Sequence, residues 1–155
     1  MTDLQRGETA PDFSIASDTG SMALTDFAGK KLVLYFYPKD DTLGCTTEGK
    51  DFSAYLADFA AADTHVVGVS RDTLAAHGKF RAKHGLTVGL GADTEGAVTQ
   101  AYGVWGEKSL YGRKYMGIER ATFLIGRDGR IEQVWTKVKV AGHAAQVLAA
   151  AQALA

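Results

Sequence analysis

Cys45 is the only cysteine in the chain, and its neighbours are of types that can make a sulfur reactive. It lies in Phe36-Tyr-Pro-Lys-Asp-Asp-Thr-Leu-Gly-Cys-Thr-Thr-Glu48. This stretch leaves an apolar run, crosses a polar loop from Pro38 to Gly44 and opens into helical periodicity, which puts Cys45 in the first turn of a helix. Free N–H groups and the positive end of the helix dipole favour an anion at that position. For cysteine the anion is the thiolate, which is the nucleophilic form. Thr42, three residues earlier, suits a helix N-cap and can also hold its hydroxyl beside the sulfur, and the two roles are compatible. Pro38 fixes the backbone as the chain leaves the run and brings no competing N–H. Glu48 acts both ways: it helps a helix to start, but its charge opposes a thiolate nearby. A cation is still wanted.

Other chemistries are excluded by what is missing. A Cys-x-x-Cys pair would need cysteine at position 42 or 48, where the chain has Thr42 and Glu48, so dithiol exchange is not the primary activity. A single cysteine allows neither a disulfide framework nor a cysteine-built zinc site. His65, His77, His84 and His143 fall on different elements, with no two at a helix-face ligand spacing, so no metal is expected. No phosphate-cradling glycine motif, haem pattern or flavin motif occurs, and no cofactor is implied.

The elements that must position Cys45 are readable from periodicity. Leu32-Val-Leu-Tyr-Phe-Tyr37 suits a central strand buried on both faces, and His65-Val-Val-Gly-Val-Ser70 is a second such run. Between them, Phe52, Tyr55, Leu56 and Phe59 mark a helix over Glu48 to Ala62. A further helix is predicted from Thr73 to about His84, a short strand over Leu86 to Leu90 and a short helix over Gly96 to Tyr102. Ala121 to Ile125 and Ile131 to Val140 flank Arg127-Asp-Gly129, a hairpin signal, and an alanine-rich helix runs from His143 to the end. The segment holding Trp105, Tyr111 and Tyr115 reads as a Gly-rich loop, packed in the core or lining an entrance. The order βαβα, hairpin, helix matches a thioredoxin-like α/β sandwich with a central mixed sheet flanked by helices.

With 155 residues and no linker or repeat, one domain over 1–155 is expected. The hydrophobic share of 46% and charged share of 23% are those of a soluble globular protein. A net charge of -1 without a basic stripe argues against nucleic acid and anionic membrane as partners. The longest apolar run is far short of a membrane span, and the polar start lacks the apolar core of a secretory signal, so a cytoplasmic setting is expected.

Pro38-x-x-x-Thr42-x-x-Cys45 resembles the active-site signature of the peroxiredoxins. Ala10-Pro-Asp-Phe13, Leu32 to Pro38, Gly103 to Arg120 and Phe123-Leu-Ile with the Asp128-Gly129 turn are similar to the bacterioferritin comigratory protein, or PrxQ, subgroup. The resemblance covers essentially the whole chain and implies a thiol-dependent peroxidase acting on hydrogen peroxide and organic hydroperoxides. It also supplies the cation, because the family's arginine facing the cysteine maps onto Arg120. The implied site is Cys45 as nucleophile, with Thr42, Arg120 and the backbone around Gly44 and Cys45 holding the peroxide, and Pro38 shaping the loop. A sulfenic acid on Cys45 would be the intermediate.

Three departures stand out. Leu43 replaces the usual Pro, Ala121 replaces a Ser or Thr, and Lys50 stands where many members carry a resolving cysteine. Lys50 reads as part of a solvated helix face. The resemblance therefore implies a one-cysteine member that depends on an external thiol: thioredoxin, glutaredoxin or a low-molecular-weight thiol. A monomer or weak homodimer is expected. The alternative is a redox sensor that uses the same oxidation as its signal, and repeated turnover separates the two.

Overall fold

The computed structural model describes residues 2–155. Its centre is β3 (Lys31–Phe36), buried at every position. Alternate side chains of a strand leave on opposite faces, so an all-apolar strand needs a cover on both sides. Leu32, Leu34 and Phe36 enter one hydrophobic cluster, and Val33 and Tyr35, with Tyr37 just beyond the strand, enter the other. Five helices supply much of that cover: α1 (Leu43–Ala54), α2 (Leu56–Ala61), α3 (Leu74–His84), α4 (Ala97–Ala101) and α5 (His143–Ala153). Cys45 and Phe52 of α1, Phe59 of α2, Phe80 of α3 and Val147 of α5 pack with Val33 and Tyr35, while Val98 of α4 packs on the opposite face.

Around β3 the sheet contains β1 (Ser14–Ser17), β2 (Met22–Ala23), β4 (Thr64–Ser70), β5 (Gly89–Ala92), β8 (Ala121–Ile125) and β9 (Ile131–Trp135), in the order β2-β1-β5-β4-β3-β8-β9. β3 and β4 are parallel, as are β4 and β5, and the remaining pairs are antiparallel. This is the mixed sheet expected from the element order. β6 (Trp105–Leu110) and β7 (Arg113–Ile118) form a separate antiparallel hairpin.

Several boundaries differ from expectation, each for a local reason. The helix after β3 begins at Leu43 and breaks at Tyr55, whose N–H still bonds back to Asp51 while α2 restarts beyond it. Leu86 and Val88 are buried but lie outside any strand, because Ser53 Oγ accepts the N–H groups of Thr87 and Val88 in place of a neighbouring strand. β9 stops at Trp135; beyond it Lys137 takes a left-handed conformation and the Val138 N–H turns back to the carbonyl of Arg120. The segment read as a loop is the β6–β7 hairpin, closed at Tyr111-Gly112, where both residues have positive φ. Its turn lacks the Asn-Gly or Asp-Gly signal, and its strands are largely exposed, so no buried stripe announces them. Leu74, the first residue of α3, is exposed, and the helix buries Phe80 instead.

Two features brace the sheet against the helices. Lys31 is buried at the start of β3, and its Nζ donates to the carbonyls of Ala151 and Leu154, satisfying the end of α5. Gly68 of β4 lies opposite Tyr35 of β3, and a Cβ there would sit 2.6 Å from the Tyr35 ring. That ring is stacked on Phe52 of α1 at 4.5 Å, so Gly68 leaves room for the contact beneath the cysteine helix. Gly68→Ala is expected to cost about 1–3 kcal/mol through overpacking. Denaturant titration checks this, and a midpoint unchanged from wild type would refute it.

Candidate active site

The site is assembled where β3 ends. The Tyr37 N–H makes the last ladder bond, to the Val69 carbonyl at 3.1 Å. Pro38 has no N–H to continue the ladder, so the chain turns out of the sheet. It returns as α1 at Leu43, and Cys45 takes the first turn of that helix, 2% exposed. Thr42 occupies the N-cap position with extended backbone, but its side chain does not cap the helix. Its hydroxyl donates to the Lys39 carbonyl at 2.8 Å, tightening the loop. Leu43 follows with its side chain 88% exposed, and Lys50 is exposed on the helix as expected.

Arg120 reaches the sulfur because of strand register. Phe36 pairs with Ala121, so residue 120 comes alongside the point where the chain leaves β3. The Val138 N–H holds its carbonyl at 3.1 Å. The guanidinium then divides its donors: Nη2 donates to Cys45 Sγ at 3.3 Å and Nη1 donates to Glu48 Oε1 at 2.6 Å. Gly44 leaves room for this approach, since a Cβ there would lie 3.2 Å from Arg120 Nη2. Cys45, Gly44 and Arg120, predicted together from the sequence, are brought together. Thr42 and Pro38 frame the same loop.

The electrostatics are those of a shared cation. Burial works against the charge of Arg120, but Glu48 and Cys45 outweigh it and hold the guanidinium charged above its ordinary value. Glu48, 1% exposed, is pushed by burial up to about 7 against the opposing pull of Arg120, and its Oε2 has no hydrogen-bond partner among the described residues. The sequence marks Glu48 as an aid to the helix start and as a charge opposing the thiolate; in the structure it is also the second anchor of Arg120. His143, which the sequence gave no role, lies 2.8 Å by Nε2 from Thr122 Oγ1 and packs edge-on against Trp135. Burial, with the charge of Arg120, lowers it to about 4, so it is neutral beside the site.

A model of the AhpC/TSA family matches residues 6–134. The chain belongs to the AhpC/TSA family. Within it, this peroxiredoxin is 47% identical to peroxiredoxin Bcp of Bacillus subtilis over 94% of this chain and 93% of the relative. It is 52% identical to peroxiredoxin Bcp of Xanthomonas campestris over 81% of this chain and 79% of that one. Among solved structures, Xanthomonas campestris peroxiredoxin Q superposes with a TM-score of 0.88 at 45% identity, covering 98% and 97% of the two chains. A mutant of Xylella fastidiosa PrxQ superposes with a TM-score of 0.93 at 39% identity, covering 99% and 98%. The fold of this peroxiredoxin is thioredoxin-like, its activity is that of a thiol-dependent peroxidase, and with a single cysteine it is of the one-cysteine type.

Glu48→Gln keeps the shape of the site and removes the competing charge. Folded Glu48 holds its proton up to about 7, whereas the unfolded chain releases it near the ordinary value of 4.5. Between those values the folded state binds more protons, so this residue makes stability fall as pH rises. The variant is expected to lose that component of the fall, read from denaturation midpoints at acid and neutral pH. A pH profile identical to wild type would refute the assignment.

Proposed function

We propose that the whole chain acts as one peroxidase domain in which Cys45 attacks hydrogen peroxide or an organic hydroperoxide held by Thr42, Arg120 and the backbone N–H groups around Gly44 and Cys45. The observation that carries this reading is the Arg120 guanidinium donating to a sulfur in the first turn of α1. The Nη2 donor aimed at the sulfur is also aimed at an oxygen that approaches it. One Xanthomonas campestris bacterioferritin comigratory protein structure concerns alkyl peroxide reduction, which supports an organic hydroperoxide as a substrate here.

In the reaction the thiolate sulfur forms a bond to the terminal peroxide oxygen as the O–O bond breaks. Sulfur loses two electrons and becomes a sulfenic acid, and the leaving oxygen takes a proton and departs as water or alcohol. Negative charge grows on the leaving oxygen, where Arg120 and the helix N–H groups oppose its cost. An external thiol then attacks the sulfenic sulfur, releasing water and forming a mixed disulfide. A second thiol regenerates Cys45 and leaves as the oxidised disulfide. The absence of any other cysteine in the sequence makes that thiol external: thioredoxin, glutaredoxin or a low-molecular-weight thiol. No helix among the described residues is long and apolar enough to cross a membrane. The enzyme is proposed to act in the cytoplasm, as a monomer or weak dimer.

Stopped-flow fluorescence of Trp105 and Trp135 during oxidation by hydrogen peroxide tests the reading. Cys45→Ser should abolish turnover, and Arg120→Ala and Thr42→Val should each slow oxidation by about a hundred- to a thousandfold. Rates for the last two within a few-fold of wild type would overturn their assignment. Many equivalents of peroxide consumed in the presence of a thiol identify an enzyme, and consumption that stops near one equivalent identifies a sensor.

A further inference from the structure

The loop that carries the chain from β3 to α1 is fixed from outside by a buried polar cluster. Asp40 is the link. Its Oδ1 accepts from the Tyr37 hydroxyl at 2.6 Å, its Oδ2 lies 2.6 Å from His77 Nδ1, and its backbone N–H donates to Asp72 Oδ2 at 2.8 Å. Ser70 donates its hydroxyl to that same Asp72 oxygen at 2.6 Å. His77, on α3, is fully buried, and its Nε2 lies 2.9 Å from the Gly91 carbonyl of β5. The next residue, Asp41, has a left-handed backbone and is tied by its carboxylate to Lys83 and His84 of the same helix.

The hydrogen-bond partners fix where the protons of this cluster lie. A carbonyl only accepts, so the short contact to Gly91 puts a proton on His77 Nε2. Burial, with Tyr35 and Asp40, pushes the Tyr37 phenol up, so Tyr37 stays protonated and donates to Asp40. A second proton must then lie between His77 Nδ1 and Asp40 Oδ2, because a bare nitrogen lone pair facing a carboxylate oxygen at 2.6 Å would be repulsive. The cluster therefore holds one proton more than a neutral histidine beside an ionised aspartate. The mechanism given above does not use it.

We propose that His77 is a positioning residue for the peroxidase reaction. Its second proton latches Asp40, and through Asp40 the turn from Pro38 to Thr42, so that Cys45 is delivered beneath Arg120. This inference rests on the peroxidase reading of Cys45. The groups facing the ring are Tyr37 and Asp40 from the end of β3 and the loop, Ser70 and Asp72 from the end of β4, and the Gly91 carbonyl of β5. The Asp18–Arg81 pair acts from farther off. Burial favours the neutral ring, but Asp40, the Gly91 carbonyl and Asp72 outweigh it and hold His77 above its ordinary value of 6.5. The latch is therefore complete below that value and opens as pH rises through the raised one. The oxidation rate should fall at alkaline pH as the ring loses its proton.

Two measurements on the wild-type protein and two variants test this. Imidazole nitrogen shifts, followed by NMR from neutral to alkaline pH, report whether both ring nitrogens of His77 carry protons. Single-turnover oxidation of Cys45 by hydrogen peroxide over the same range gives the rate profile. The expected result is a doubly protonated ring at neutral pH and an alkaline fall in rate that follows its titration. His77→Gln and Asp40→Asn should lower the neutral rate about ten- to a hundredfold and lose the alkaline fall. A singly protonated ring at neutral pH, or folded variants oxidised at the wild-type rate, would overturn the latch while leaving the peroxidase reading intact. Slow oxidation of the wild type would overturn the peroxidase reading, and with it the latch. If neither variant folds, the match or mismatch of the wild-type ring titration and rate profile decides alone.

Discussion

The constraint on which this structure turns is one guanidinium serving two buried partners. Arg120 donates to Cys45 Sγ and to Glu48 Oε1 at once, in a place where both partners are almost fully buried. A buried charge is tolerated when its partner and geometry are fixed, and removing one partner leaves the other uncompensated. Glu48 and Cys45 stand three positions apart in α1, adjacent on one helix face, so a single planar group spans them. The pairing of Phe36 with Ala121 then brings Arg120 to that face from another part of the sheet. A one-residue slip of β8 against β3 would carry every side chain of β8 to the wrong face and take the arginine away.

Seen this way, the sheet acts as a ruler. β3 is covered on both faces and buried throughout, and that cover fixes the point where the chain leaves the sheet. Local packing carries that precision into α1 through Tyr35 and Phe52, and the loop between β3 and α1 is tied at consecutive residues to α3. The chemistry sits at the boundary between a rigid element and a loop that is only as rigid as its side-chain ties.

Legibility in the sequence followed burial. β3, β4 and β8 are continuous apolar runs, and each was read close to its bounds. β1 is illegible because it is four residues long and buries Ser17 while exposing Ala16, and the β6–β7 strands are illegible because neither of their faces is fully covered. Cys45 and Thr42 were legible from spacing, whereas Arg120 needed the family resemblance, since its partner is 75 residues distant along the chain. Asp40 and His77 gave no pattern at all. Their meeting depends on how α3 docks against the loop, and a scattered histidine has no period to betray it.

A sulfur that is 2% exposed sorts reactants by size. A small peroxide needs only a narrow channel to the first turn of α1, but a thiol carried on a peptide or a protein must bring a bulky shoulder to the same atom. The cover over Cys45 therefore opposes a bulky reactant more than a small one, and the same packing that holds the cysteine in place selects what can touch it.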